Sequence, residues 1–481
     1  MEHVTRVGFN IVPIQSLKQT FFEGAKLQHF SRPLRGLDDL FVRGSQLKCW
    51  AIFALSASRT GTVSTFSAKA PGTSTVKKTK PVTPKADNAP ARREFLRLAG
   101  LGGLGLMLSE ISSARALGAR PIGELSVYVG TYTTGKSEGI YLYQLNLSSG
   151  ELKHVATTRG VVNPSFLALA PSRRYLYAVN EVEEFAGKKS GAVSAFAVDQ
   201  RTGELRLLNQ EPSLGADPCY VNVDAEGRFV LIANYTGGNV TVFPVQRDGS
   251  LSEPTDMKQY RGSSTNHERQ EGPHAHCVVL DPTNRFAYSC DLGTDKIMIF
   301  RFDARNGKLL PGEPPWVQVK PGAGPRHLAF YPGGKYVFVL NELHATVTAF
   351  ARDQSNGSLK ELQSITTLPK NFTGPNTSAD IHVSSDGRFL YCSNRGHDSI
   401  AIFTIDPRNG ALTSIGHEST RGMTPRNFAI DPTGTFLLVA NQKSDNIVVF
   451  RLDQKTGRLS STGQVVQVPS PVCLKFTAPF S

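Results

Sequence analysis

The sequence has few cysteines, and their spacing argues against the small domains that cross-links or metal ions hold together. Six occur in 481 residues, and no two form a C-x-x-C pair. Zinc sites and disulfide frameworks are recognised by close, repeated spacings of this kind. We therefore expect buried free thiols at Cys49, Cys219, Cys277, Cys290, Cys392 and Cys473.

The chain also lacks a basic surface in the part that is expected to fold. Its net charge is +13, but residues 1–119 hold 17 Lys and Arg against 7 Asp and Glu, which leaves only +3 for all later residues. Nucleic-acid-binding domains carry a concentrated positive charge. We expect no nucleic-acid partner.

The apolar stretch from Leu98 to Leu108 is too short to cross a bilayer as a helix, so we expect no stable membrane anchor. Arg92 and Arg93 precede it in "ARREFLRLAGLGGLGLML", and "SARA" follows. Paired arginines, a short apolar segment and a small-residue cleavage site are typical of a twin-arginine export signal. Residues 91–119 are thus predicted to pass the protein through the twin-arginine translocase to the periplasm. A basic linker in a cytoplasmic protein is the alternative.

About 90 residues precede these arginines. Residues 56–90 are rich in Ser, Thr, Pro and Lys, which is the composition of disordered chain. We expect residues 1–90 to be either a disordered extension or the product of a translation start placed too far upstream.

Glycine, proline and a repeated unit of four short apolar runs are abundant from residue 125 onward. Units start near residues 164, 218, 273, 325, 377, 425 and 471. Two of them begin "PCYVNVDAEGRFVLIANY" and "PRNFAIDPTGTFLLVANQ", and each full unit later reads close to D-x-x-x-G-x-L. A four-strand unit of about 50 residues is typical of a β-propeller blade. We predict an all-β propeller with four antiparallel strands per blade over residues 120–481.

The two ends of this region complete each other. The unit that begins "LSVYVGTY" lacks a first strand, and the last unit, "PVCLKFTAPF", has only a first strand. One C-terminal strand plus three N-terminal strands make one blade, so with six full units the sequence predicts seven blades. Such closure leaves no open sheet edge.

Charged and polar side chains occupy the predicted mouth of the central channel. The first strand of each blade lines the channel and pairs antiparallel with the second, so first-strand starts and second-strand ends meet on one face. The second strand nearly always ends in Asn, which we expect to be structural because Asn bonds its own backbone in turns. When the blades are aligned, the residues at the starts of the first strands and just after the ends of the second strands vary from blade to blade, and many are charged or polar. They predict a concave polar site formed by Glu181, Tyr235, His276, Arg326, His327, Glu342, Asp380, Arg395 and Arg426.

His274 lies two residues before His276, in the loop that leads into the same predicted first strand. We expect no cofactor and no metal, although a metal held by His274, His276 and Asp380 is an alternative.

At these residues the chain resembles the seven-bladed β-propeller lactonase family, which includes bacterial 6-phosphogluconolactonase and, more distantly, fungal carboxy-muconate lactonising enzyme. The resemblance covers residues 125–481 and is specific at "GPHAH", "GPRHLAF", "VLNEL", "ADIHVSSDGRFLY", "SNRGHDSIAIF" and "PVCLKF". It implies a metal-independent enzyme that opens or closes a lactone ring. It also implies catalytic positions at His276, Arg326, Glu342 and Arg395. All four are among the residues that the blade alignment predicts at the mouth of the channel.

Lactone hydrolysis needs a base for the attacking water and donors for the oxyanion. His276 or Glu342 can act as the base, and Arg326 and Arg395 can stabilise the oxyanion or hold an anionic group. No serine lies in a G-x-S-x-G elbow within the repeats, which favours direct attack by water.

We therefore predict hydrolysis of a sugar lactone, either 6-phosphogluconolactone or a related aldonolactone. A lactone-forming cycloisomerase of the muconate type and a non-catalytic binding propeller are the alternatives. The residues expected to bind the substrate are His274, His327, Glu181, Tyr235, Asp380 and Arg426.

Overall fold

A computed structural model describes residues 123–480, which form seven sheets of four antiparallel strands each. The predicted export signal and the N-terminal extension lie outside these residues. The described part contains no helix that is long and apolar enough to cross a membrane.

The 28 strands, numbered in chain order, occupy four positions from the channel outward. The innermost strands are β4 (Leu167–Leu169), β8 (Pro218–Val223), β12 (Ala275–Leu280), β16 (Pro325–Phe330), β20 (Thr377–Val383), β24 (Pro425–Ile430) and β28 (Pro471–Thr477). The second strands are β1 (Glu124–Thr131), β5 (Tyr175–Asn180), β9 (Phe229–Asn234), β13 (Phe286–Asp291), β17 (Tyr336–Asn341), β21 (Phe389–Arg395) and β25 (Phe436–Asn441).

The two outer positions complete each sheet. The third strands are β2 (Gly139–Asn146), β6 (Ala192–Val198), β10 (Asn239–Pro244), β14 (Lys296–Asp303), β18 (Thr346–Arg352), β22 (Ser399–Ile405) and β26 (Asn446–Leu452). The outermost strands are β3 (Leu152–Arg159), β7 (Leu205–Pro212), β11 (Asp256–Gln259), β15 (Lys308–Gln318), β19 (Leu359–Thr366), β23 (Leu412–Ser419) and β27 (Leu459–Gln467).

The seven sheets close into a ring. Each innermost strand contacts the innermost strand of the next sheet, from β4 through β28 and back to β4. The closing sheet has the order β28-β1-β2-β3, with Tyr128 paired to Lys475 and Ser126 to Thr477. The predicted seven-bladed propeller and its closure by one C-terminal and three N-terminal strands are confirmed.

Adjacent blades are joined by a repeated tyrosine contact. A buried tyrosine on a second strand donates its hydroxyl to a glycine carbonyl in the turn between the third and fourth strands of the next blade. The pairs are Tyr128 with Gly203 (2.6 Å), Tyr177 with Gly249 (3.1 Å), Tyr288 with Gly357 (2.6 Å) and Tyr391 with Gly457 (2.9 Å).

These turns also explain the glycine of the D-x-x-x-G-x-L repeat. Gly357 has a φ of +79°, and a Cβ there would lie 2.5 Å from the ring of Phe286 on the preceding blade. A side chain at this position is excluded both by the backbone conformation and by the close approach of the blades.

The asparagines that end the second strands are structural, but for a different reason from the expected one. They do not adopt positive φ. Instead, the amide of Asn234 donates to the carbonyl of Ser213 (2.9 Å), and that of Asn394 donates to the carbonyl of Thr367 (2.8 Å). Both carbonyls belong to the segment that crosses from one blade to the next, so the amides hold that crossing in place.

Candidate active site

Several innermost strands begin with a β-bulge. Their pairing with the second strand skips one residue at Cys219, His276, Arg326 and Arg426. A bulge leaves its extra residue outside the ladder and redirects the side chain, and bulges are frequent next to active sites. The four bulges bring these side chains to one mouth of the channel.

The ends of the second strands surround the bulged residues and complete a cavity of about 420 Å³. This volume lies within the range of small-molecule sites, roughly 300–1,000 Å³. The cavity is lined by Tyr132, Glu181, Cys219, Tyr235, Arg269, His276, Glu342, Thr377, Arg395 and Arg426.

Glu342 is the centre of the charge network in this cavity. Its side chain is 5% exposed, and its carboxylate lies 2.8 Å from Arg269 Nη2, 2.9 Å from Arg395 Nη2 and 3.0 Å from Arg326 Nε. Burial alone would raise the pKa of this carboxyl, but the three arginines outweigh it and lower the pKa to about 2. Glu342 is therefore ionised throughout the physiological range.

His276 lies beside this carboxylate and is neutral. Its Nε2 is 4.0 Å from Glu342 Oε2, and its Nδ1 is 3.6 Å from the sulfur of Cys219. Burial, followed by the charge of Arg326, lowers the pKa of His276 well below its ordinary value of 6.5. Burial also raises the pKa of the Cys219 thiol, so this cysteine is not a thiolate nucleophile.

Arg326 and Arg395 have different environments. Arg395 lines the cavity and donates to the carbonyls of Thr377 (3.4 Å) and Ser378 (3.2 Å). Burial lowers the pKa of Arg395 to about 10, against the opposing effect of Glu342. Arg326 is only 2% exposed and lies behind Glu342, where its Nε makes a charge contact without the geometry of a hydrogen bond.

A second charged group, Glu181 with Arg426, lies in the same cavity. Glu181 accepts hydrogen bonds from the hydroxyls of Tyr132 (2.8 Å) and Ser165. Arg426 stacks over the Tyr132 ring at 5.3 Å and lies 3.7 Å from Glu181. Its guanidinium makes no hydrogen bond to any residue between 123 and 480.

The structure brings His276, Glu342, Arg326 and Arg395 together, with Glu181, Tyr235 and Arg426 in the same cavity. His274 does not line this cavity. Its ring stacks on Tyr235 with 4.4 Å between centroids, and its Nδ1 donates to the Tyr235 carbonyl (3.1 Å). His274 therefore holds Tyr235, which lines the cavity, in place.

The expectation that His327 and Asp380 share this mouth is wrong in position. Both line a second cavity of about 270 Å³ farther along the channel. His327 follows the bulge at Arg326, whereas Asp380 lies inside the register break of β20 between Ser378 and Ile381. The rings of Phe166, Tyr220, His276 and His327 lie between the two cavities.

The alternative metal site is not assembled. Within residues 123–480, no three His, Cys, Asp or Glu side chains are grouped so that they could hold a metal ion. His274 is engaged with Tyr235, and Asp380 belongs to the second cavity.

Sequence reasoning missed Arg269. This residue lies in the loop between β11 and β12, outside the repeated strands, and its Nη2 donates both to Glu342 (2.8 Å) and to the Tyr235 hydroxyl (3.1 Å). No column of the repeat contains it, so blade alignment could not place it. In the aligned repeat, Cys219 corresponds to His276 and Tyr132 corresponds to Glu342, but neither was assigned to the site.

Known proteins with similar sequences include lactonases. The family model described as lactonase, 7-bladed beta-propeller, matches residues 126–476. The 6-phosphogluconolactonase of Bacillus subtilis is 40% identical over 349 residues, which are 73% of this chain and 97% of that protein. The 6-phosphogluconolactonase of Formosa agariphila is 40% identical over 310 residues, 63% of this chain and 86% of that one.

Among solved structures, the periplasmic gluconolactonase of Pseudomonas aeruginosa has a TM-score of 0.70 and 36% identity, and the match covers 74% of this chain and 100% of that one. The family model and these relatives define a lactone hydrolase, an enzyme that acts on a carboxylic ester. The chain belongs to the seven-bladed β-propeller lactonase family.

Proposed function

We propose that the protein hydrolyses an aldonolactone, either 6-phosphogluconolactone or a close relative, by attack of a water molecule that His276 deprotonates. The observation that carries this proposal is the pairing of a neutral, buried imidazole with a carboxylate that three arginines hold. The first provides a base and the second arranges cationic donors around the reacting carbonyl.

His276 is a better candidate for the base than Glu342. The oxygens of the Glu342 carboxylate already contact Arg269, Arg326 and Arg395, so they are occupied when the water would need an acceptor. The Nε2 of His276 is available if Nδ1 carries the proton and points at Cys219. Its low pKa keeps it unprotonated at neutral pH, and the negative charge of a bound substrate would raise its basicity.

The two cavity arginines on Glu342 are suited to stabilise the oxyanion. Arg269 and Arg395 each use Nη2 on the carboxylate, and the Nη1 of each makes no hydrogen bond within the described residues. In this mechanism the water oxygen attacks the lactone carbonyl while its proton passes to His276 Nε2. The tetrahedral intermediate then breaks the bond to the ring oxygen, which leaves as a hydroxyl after taking the proton from His276.

Arg426 supports a substrate with an anionic substituent. The carboxylate of Glu181 is occupied by two hydroxyl donors, so the guanidinium of Arg426 retains free N–H groups at the cavity wall. Guanidinium groups bind phosphate and carboxylate through paired hydrogen bonds. The relatives from Bacillus subtilis and Formosa agariphila are named for a phosphorylated lactone, and the Pseudomonas aeruginosa protein for gluconolactone.

Location bears on the choice between these lactones. We propose that residues 91–119 direct export, which would separate the enzyme from phosphorylated substrates of the cytoplasm. N-terminal sequencing of the mature protein tests this proposal. A mature chain that still contains Arg92 and Arg93 contradicts it.

The test of the activity is acid release measured in a pH-stat with gluconolactone, 6-phosphogluconolactone and an unrelated aliphatic lactone. We expect the aldonolactones to be opened faster than their spontaneous rate and the aliphatic lactone to be unaffected. No acceleration of any lactone by folded wild-type protein would overturn the proposal.

A further inference from the structure

Asp380 is a buried carboxylate that several donors share between neighbouring blades. It accepts hydrogen bonds from His327 Nδ1 (2.9 Å), from His382 Nε2 (3.0 Å) and from the amide of Asn427. Burial would raise its pKa, but the imidazoles of His382 and His327 hold the pKa well below its ordinary value. Asp380 is therefore a fixed negative charge directly behind the candidate active site.

His327 is held in one orientation by this carboxylate and by the rings around it. Its ring meets the edges of Tyr220 at 5.2 Å and of His276 at 5.3 Å between centroids. Burial, followed by Arg326, lowers the pKa of His327 to about 3 although Asp380 opposes the shift. The ring is neutral at physiological pH, with its Nδ1–H donated to Asp380.

Arg326 packs against this ring. Its Nη1 lies 3.2 Å from Nε2 and 3.4 Å from Nδ1 of His327. Such nearly equal distances place the nitrogen over the ring and not in line with one lone pair. The same Nη1 donates to the Ala379 carbonyl, while Nε contacts Glu342 at 3.0 Å.

We propose that Asp380 and His327 are positioning residues for catalysis: they fix the guanidinium of Arg326 against Glu342 and so keep that carboxylate in place for Arg269, Arg395 and His276. Neither residue lines the substrate cavity. This role rests on the proposed lactone hydrolysis. The positioning role is inferred from a continuous series of contacts, from Asp380 through the His327 ring and Arg326 to Glu342.

The two histidines on Asp380 provide a matched test. His327→Phe keeps a flat ring but cannot donate to Asp380. His382→Phe removes the other imidazole donor from the same carboxylate, on the side of the second cavity and away from Arg326. Both variants thus leave Asp380 one donor short, and they differ in whether the residue touches Arg326.

We expect His327→Phe and Asp380→Asn to lower kcat with KM nearly unchanged. Removing the partners that orient metal ligands typically costs about 10–100-fold, and we expect a loss of the same order here. His382→Phe should keep kcat close to that of the wild type. If His327 and Asp380 act in series, the double variant should lose no more than the worse single variant. An unchanged kcat in folded His327→Phe, or an equal loss in His382→Phe, would overturn the proposal.

A second measurement does not depend on catalysis. The NMR signal of the Arg326 Nε–H group should shift or broaden in Asp380→Asn and His327→Phe but stay in place in His382→Phe. If wild-type protein opened no lactone, the proposed function would fail while this measurement still tested the positioning. An Arg326 signal that is identical in all four proteins would contradict the positioning role itself.

Discussion

Nε2 of His276 lies 4.0 Å from Oε2 of Glu342, and both side chains are almost completely buried, at 6% and 5% exposure. The two groups have opposite electrostatic surroundings. Arginine charges oppose protonation of the imidazole, whereas they are the direct partners of the carboxylate. In the proposed mechanism, Nε2 of His276 accepts the proton of the water because it makes no hydrogen bond to any described residue. The Glu342 carboxylate, whose oxygens contact arginines, arranges the cations.

Replacing His276 by Ala should leave a folded protein with little activity. Removal of a positioned base typically slows turnover by about 10²–10⁴-fold. In the wild type, kcat/KM should not fall when the pH is lowered through 6.5, the ordinary pKa of histidine, because the pKa of His276 lies well below this value. Rates in the pH-stat and a melting curve check both points. Near-normal turnover by folded His276→Ala would reject this base.

Glu342→Gln should differ from His276→Ala by losing stability as well as activity. The substitution leaves Arg269, Arg326 and Arg395 without their shared carboxylate, and breaking one side of a buried ion pair costs about 3–5 kcal/mol. We expect a lower Tm and a reduced rate at temperatures where the variant is still folded. A Tm equal to that of the wild type would show that Glu342 does not hold the three arginines.

Arg426→Gln should weaken binding of an anionic lactone more than that of a neutral one. If Arg426 only anchors the substrate, KM for 6-phosphogluconolactone rises while kcat is nearly kept, and KM for gluconolactone changes little. Arg408→Gln is the control, because that arginine is 86% exposed on the outside of the ring. An equal effect of Arg426→Gln on both lactones would contradict its role as the anion-binding group.

Strand β28 should be essential to the whole ring. Removing residues 470–481 takes the innermost strand from the closing sheet and exposes the edge of β1, so we expect loss of the cooperative melting transition. Leu474→Ala, at a side chain that is 2% exposed, should cost about 2–5 kcal/mol. The control Leu362→Ala lies on β19 and is 42% exposed. A wild-type melting curve for the truncated protein would contradict closure.

Stability should decrease as the pH falls below 6.5. His327 has a pKa of 6.5 in the unfolded chain and about 3 in the folded one, so between these values only the unfolded chain binds its proton. Glu342 behaves in the same way between 4.5 and about 2. Both groups favour unfolding progressively as the pH drops. Urea unfolding from pH 7 to 4 should show this decrease, and His327→Phe should show a smaller one.

The sequence repeat predicted the ring and its closure because the strand pattern, the turn residues and the unit length all recur once per blade. It also brought His276, Arg326, Glu342 and Arg395 to one mouth. The repeat could not show the bulges at Cys219, His276, Arg326 and Arg426, which depend on hydrogen-bond register and not on residue type. Nor could it show the register break around Asp380 in β20. For this reason His327 and Asp380 were placed at the mouth, whereas they line the second cavity.

Two further errors have a physical origin in contacts between distant segments. Arg269 reaches Glu342 across 73 residues of chain from a loop that no repeat contains. The asparagines at the strand ends bond the crossing segment of the chain and not their own turns. Sequence-based propensities describe the backbone close to a residue. They could not predict these contacts, which join residues far apart in the chain.

The pairing of β1 with β28 means that the ring has no fixed starting point. Because Ser126 and Thr477 are partners in one sheet, a short linker could join the two ends of the propeller without disturbing any blade. New ends could then be opened in an exposed outer turn, such as the one at Asn356 between β18 and β19. A circularly permuted chain of this kind should fold to the same ring, with its first and last strands in a blade other than the present one.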